Sequence, residues 1–114
     1  MVVTPSAQRL AEVERFALGG VGYGGEPNIG ETLTRTIASE PDAIAVFSRL
    51  AAHPNPVTRL YAYWALRTLD PARAQQVEKT IAADPTEISF MSGCLGYTEP
   101  ASKALAYIEQ RAPL

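Results

Sequence analysis

Cys94 and His53 are the only thiol and the only imidazole in the chain, and together they form its one possible nucleophile–base pair. A reactive thiol needs a partly exposed, electropositive setting. Cys94 instead sits in Met91-Ser92-Gly93-Cys94-Leu95, an apolar context that predicts a buried, inert thiol. His53 falls at a helix end, where its charge would complement the terminal carbonyls. A single histidine removes every two-His metal motif, and a single cysteine removes cysteine-rich clusters and any intramolecular disulfide. Glu12, Glu14, Glu78, Glu87 and Glu109 are scattered, and no two carboxylates recur at metal-site spacing with a histidine. The expectation is no metal, no cofactor and no enzymatic activity.

The segment Gly19-Gly20-Val21-Gly22-Tyr23-Gly24-Gly25 is the most biased in the chain. Gly20, Gly22 and Gly25 formally satisfy G-x-G-x-x-G. Phosphate binding by that pattern needs a strand before the loop and a helix N-terminus directly after it. The element before Gly19 reads as a helix, and no Gly-Lys-Ser/Thr end follows. Two readings are left, a tight connector between helices or a partner-binding loop with Tyr23 at its tip.

Arg59, Tyr63 and Arg67 stand at i, i+4 and i+8, one row along a helix face. Such a row can present an aromatic between two guanidinium groups, suited to carboxylates on a partner. The alternative is structural, with both arginines paired to acids on neighbouring helices and Tyr63 packed at a domain edge. Tyr23, Arg59, Tyr63 and Arg67 are the candidate partner-binding residues.

These groups must be positioned by helices. Glu26-Pro27, Glu40-Pro41, Asn55-Pro56, Asp70-Pro71, Asp84-Pro85 and Glu99-Pro100 recur about one short helix apart. Proline suits the first helical position, and an acidic or amide residue before it caps the free amides. The ladder predicts a first helix from Thr4-Pro5-Ser6 to about Leu18 and a second from about Asn28 to Ser39. A third runs from Pro41 to near His53, a fourth from Pro56 through Leu69, and a fifth from Pro71 with Ala74, Val77 and Ile81 inward. Glu31 and Arg35 form an i, i+4 pair on the second helix. In the fourth, Val57, Leu60, Tyr61, Trp64, Ala65 and Leu69 form a broad apolar face, which makes that helix central. After Pro85 the register weakens. Ile88, Met91 and Leu95 fit a helical stripe while Ile88 and Phe90 fit strand alternation, and the segment is read as a short helix or irregular. Pro100 then opens a last helix.

The run from Asn55 to Ala74 resembles short HEAT-like repeats of the phycobilisome-lyase-related type. Arg59, Ala62, Ala65 and Leu66 stand where that pattern places Arg, Ala, Ala and Leu, and Asp70-Pro71 falls where its second helix starts. Asp84-Pro85 looks like the start of a further repeat, but the arginine and paired alanines that should follow are absent. The resemblance covers roughly residues 40 to 85. It implies a protein-binding scaffold, with bilin or other cofactor attachment in some members, and carries over no catalytic residue.

At 114 residues the chain is long enough for one domain spanning residues 1–114. A hydrophobic share of 46% and a charged share of 19% are ordinary globular values. The net charge of −2 gives no concentrated basic face for nucleic acid. No apolar run approaches the roughly 20 residues that span a bilayer. No signal peptide is visible and the lone cysteine fits a reducing cytoplasm, although a periplasmic or secreted location follows if the chain is cut from a longer precursor. Few lysines against many arginines and alanines point to a GC-rich bacterial genome. The expected fold is all-α, a stack of five or six short antiparallel helices forming a HEAT-like α-solenoid fragment. The expected function is a non-enzymatic protein-interaction module, an adaptor or binding protein. A toxin-neutralising immunity protein is the alternative, and a cofactor-attachment protein the next.

Overall fold

A computed structural model describes residues 5–18, 20–21, 26–92 and 95–114. It contains α1 (Pro5–Leu10), β1 (Arg15–Phe16), β2 (Gly20–Val21), β3 (Glu26–Pro27), α2 (Ile29–Ala38), α3 (Ala43–Leu50), α4 (Pro56–Leu69) and α5 (Pro71–Ala82). Two longer strands follow, β4 (Glu87–Ser92) and β5 (Leu95–Pro100), then a 3₁₀ turn over Ala101–Lys103 and α6 (Ala104–Glu109). The expected all-α solenoid is therefore wrong, and the fold mixes helices with sheet. A three-stranded sheet has the order β1-β4-β5, and β2 pairs with β3 in a separate two-stranded ribbon.

The helical middle follows from capping and burial. Asn55 Oδ1 accepts the Val57 N–H at 3.0 Å and an Asp70 carboxylate oxygen accepts the Arg73 N–H at 3.3 Å, each just before a proline at a helix start. All but one residue from Val57 to Leu66 are buried, so α4 is surrounded, packing on α2, α3, α5 and β1. Burial of Leu60, Tyr61, Trp64 and Leu66 is its main source of stability, at roughly 1.5–3 kcal/mol for each large side chain.

Elsewhere the proline ladder does not mark helix starts. Pro27 ends β3, and Asn28 caps α2 through a 3.0 Å bond from the Glu31 N–H. Asp42, not Glu40, precedes α3, and its side chain makes no cap bond. Asp84 Oδ1 takes the Thr86 N–H at 2.9 Å, an Asx turn that delivers the chain to β4 rather than to a helix. Pro100 closes β5, an edge strand that tolerates a missing N–H.

The segment read as helical or irregular after Pro85 is a β-hairpin. Ile88 and Phe90 are buried while Glu87 and Ser89 are exposed, the period-two pattern of a half-buried strand. A helix there would place Gly93 and Gly96 in its interior at about 1 kcal/mol each. β4 pairs antiparallel with β5 from Glu87↔Pro100 to Ser92↔Leu95.

The first helix also stops eight residues early, at Leu10. The carbonyls that would continue it are taken by distant donors. Thr58 Oγ1 donates to Leu10 O at 2.8 Å, and Asn55 Nδ2 donates to Ala11 O and Val13 O at 3.0 and 2.9 Å. The Ala17 N–H goes to Tyr61 Oη at 3.0 Å. Freed from the helix, Arg15 and Phe16 pair parallel with Ser89 and Phe90. Phe16 then enters the core against Tyr61 and Phe90, with ring centroids 4.6 and 5.5 Å away.

Candidate functional site

Of the residues that the sequence grouped, the structure describes His53, Arg59, Tyr63 and Arg67. Tyr23 and Cys94 lie outside the described residues, as do Gly19, Gly22, Gly24 and Gly25. The flanks of the glycine segment are paired, Gly20 with Pro27 and Val21 with Glu26, so it joins two antiparallel strands. His53 Nδ1 accepts the Asn55 N–H at 3.0 Å, which puts the ring proton on Nε2 and gives the imidazole a place in the α3–α4 turn.

Arg59 is occupied by its surroundings. Its Nη1 donates to His53 O and Pro54 O at 2.9 and 3.1 Å, and its Nη2 meets Asp84 Oδ2 at 2.5 Å. Hydrogen bonding from Thr86, opposed by burial and reinforced by Arg59, holds the Asp84 carboxyl below its usual range. Arg67 lies at the other end of α4, where Nη1 donates to Ile108 O at 3.2 Å and ties down the end of α6. Tyr63 is 3% exposed, far from a surface aromatic between two free cations. It shares a hollow of about 220 Å³ with Arg67, Glu78 and Glu109. Burial, then Glu78, with Glu109 adding and Arg67 opposing, raise the Tyr63 phenol above its ordinary value.

A larger cleft of about 550 Å³ opens where α1, β1, α2 and β4 meet. Strand alternation builds one wall. Because Phe16, Ile88 and Phe90 point into the core, Arg15, Ser89 and Met91 take the opposite face, and Arg15 Nη1 reaches Met91 Sδ at 3.4 Å. The start of α2 builds the other wall with Ile29 and Leu33. Asn28 fixes this wall to β1's exit: Nδ2 donates to Ala17 O at 2.7 Å while Oδ1 accepts from Tyr61 Oη at 2.8 Å. Burial drives the Tyr61 phenol up strongly, so its hydroxyl stays protonated and available for this network.

Ile29 is 51% exposed at the cleft, the most exposed of the large apolar side chains described. Arg9, Glu12 and Glu14 also border it. Neither Arg9 nor Arg15 has a carboxylate within ion-pair distance among the described residues. The balanced pair of cations and pair of anions beside Val13, Ile29, Leu33 and Met91 suits hydrogen bonding to a polypeptide better than capture of a polyanion. Sequence reasoning missed the cleft because one wall depends on pairing Arg15 with Ser89, across most of the chain. The one local signal was the alternation of Ile88 and Phe90.

Among the described residues, no group of three His, Cys, Asp or Glu side chains is placed to hold a metal. No described helix is long and apolar enough to cross a membrane. Comparison with protein-family models, curated proteins and solved structures finds no match to this chain.

Proposed function

We propose that this chain is a non-catalytic protein-interaction module, a bacterial adaptor or binding protein, that receives a segment of a partner protein in the cleft beside β1. The observation carrying this reading is the half-exposed Ile29 in a concave surface of mixed polarity, bordered by two arginines that have no carboxylate partner among the described residues. Leu33 and Met91 would receive an apolar side chain of the segment, while Arg9 and Arg15 donate to its carbonyls or carboxylates. A cytoplasmic location accords with the lone cysteine.

Selection of displayed peptides against the immobilised full chain tests this directly. Enriched peptides should carry an apolar anchor, and their affinity should fall about tenfold or more in Ile29→Asp, equivalent to about 1.4 kcal/mol. Arg15→Glu should shift which peptides are enriched. No enrichment, or peptides that bind both variants as well as the parent, would remove the proposal.

A further inference from the structure

β5 is the outer strand of the β1-β4-β5 sheet, and no second described strand lies along it. Its one proline decides which of its backbone groups face outward. Pro100 stands opposite Glu87 and has no N–H with which to close a hydrogen-bonded pair. The Ala101 N–H donates to Thr86 O at 2.8 Å, the bond that flanks a non-hydrogen-bonded pair at this position. Alternation along the ladder then turns the N–H and C=O of Leu95, Tyr97 and Glu99 toward β4, and those of Gly96 and Thr98 away from it.

Strand edges in folded proteins are commonly blunted by lysine, proline, a bulge or a covering segment. Gly96, Tyr97 and Thr98 have none of these: all three are exposed, uncharged and paired one-to-one with β4. Tyr97 is the exposed aromatic of the described residues, at 37%, and its ring stacks on Phe90 with centroids 5.4 Å apart and planes 15° from parallel. The edge therefore offers two residues' worth of free donors and acceptors, with an aromatic ring between them that is only half covered.

We propose that this edge is the contact surface for a second copy of the chain, the two β5 strands pairing antiparallel about a two-fold axis at Tyr97. In that register Thr98 faces Gly96 of the second copy, each donates its N–H to the other's carbonyl, and symmetry repeats the pair. Tyr97 then faces Tyr97 of the second copy in the closer, non-hydrogen-bonded position, where aromatic cross-strand pairs are favourable. An axis at Thr98 would oppose Gly96 to Pro100 and leave the Gly96 carbonyl without a donor. It would also set the two Glu99 carboxylates diagonally adjacent. A contact of so few residues falls short of the roughly 1,200 Å² that stable interfaces bury, so the dimer is a weak, concentration-dependent one. A strand of unrelated sequence could meet the same donors and acceptors, but a second copy also brings the matching half-covered ring.

Sedimentation equilibrium of the full chain from about 10 μM to about 1 mM, with amide hydrogen exchange over the same range, tests the edge. The mass should rise toward twice that of the monomer, and protection at Gly96 and Thr98 should rise with it. Thr98→Pro removes only an outward N–H and leaves the β4–β5 ladder complete, while Thr98→Lys places a charge on the edge. Each should weaken association about tenfold or more. In a mixture of isotope-labelled and unlabelled chains, an intermolecular contact between the two Tyr97 α-protons is expected. A monomeric mass up to about 1 mM would overturn the proposal, as would association that both Thr98 variants leave unchanged. A Tyr97–Glu99 α-proton contact between chains would move the axis to Thr98 and overturn the pairing. Protection gained at Gly96 and Thr98 only on adding a peptide from the selection above would assign the edge to a partner's strand instead of a second copy. No β5 residue lines the cleft, so failure here and failure of the peptide reading are separate results.

Discussion

The middle of the chain and its two flanks are built by different rules. In α4 and α5, local signals and tertiary packing agree: a capping side chain, a proline, then a stripe that buries where its spacing says it should. In the flanks, the same cap-and-proline pairs sit at Glu26-Pro27, Asp84-Pro85 and Glu99-Pro100, and strands or turns form there instead. A cap and a proline permit a helix start. The following residues must still gain more by burying a helical stripe than by joining a sheet.

The largest test of the middle region is Trp64→Ala. Trp64 is 2% exposed, donates Nε1–H to Ala112 O at 3.2 Å and lies under the Arg35 guanidinium, 5.3 Å from the ring centroid. Its removal should cost about 3–5 kcal/mol in urea or thermal unfolding. An unchanged melting temperature would mean that α4 is not the centre of the core.

Next in size is a contrast between the two capping residues. Asp70 serves only its own helix, whereas Asn55 caps α4 with its oxygen and holds Ala11 O and Val13 O with its nitrogen. Asn55→Asp preserves the cap but turns a carboxylate toward two carbonyls, with an expected loss of about 2–3 kcal/mol. Asp70→Asn should cost less than about 0.5 kcal/mol, since both residues cap well. Equal effects in chemical denaturation would show that Asn55 does not hold the α1–β1 connection.

How much of the molecule the sequence carried divides along the same line. The starts of α4 and α5 were legible at Pro56 and Pro71 because caps act within three residues. The end of α1 was not, because the donors that stop it come from Asn55, Thr58 and Tyr61. The Arg59–Tyr63–Arg67 row was correctly aligned as a helix face, yet a helical wheel contains no information about α6, which supplies Ile108 O and Glu109. The cleft required knowing that β1 lies beside β4.

Gly30 and Gly96 give a smaller contrast. A Cβ on Gly30, in α2, would stand 2.6 Å from Tyr61 Oη and overlap the ring beside it, and Tyr61 is fully buried with its hydroxyl engaged. Gly30→Ala should destabilise by about 1–3 kcal/mol, the cost of overpacking a filled core. A Cβ on Gly96, in β5, meets nothing closer than Phe90 O at 4.0 Å. Gly96→Ala should stay within about 0.5 kcal/mol of the parent. A neutral Gly30→Ala would mean that α2 can move away from Tyr61, and with it the wall of the cleft.

The smallest expected effect concerns the junction where the helical middle hands over to the hairpin. Asp84 receives the Thr86 N–H and the Arg59 guanidinium, and its folded pKa lies below its unfolded value near 3.8. A depressed carboxyl contributes its stability above the unfolded pKa and loses it as pH falls through the folded pKa. With the Asp84 side chain 13% and the Arg59 side chain 19% exposed, the pair is partly screened, so its weight should be about 1 kcal/mol or less. Urea midpoints followed from neutral pH to below pH ~4 should therefore fall less steeply for Asp84→Asn than for the parent, the two curves converging at the acid end. Parallel curves would show that the Arg59–Asp84 contact adds nothing to holding α4 against the start of β4, leaving the Thr86 turn and the burial of Ile88 and Phe90 to place the hairpin.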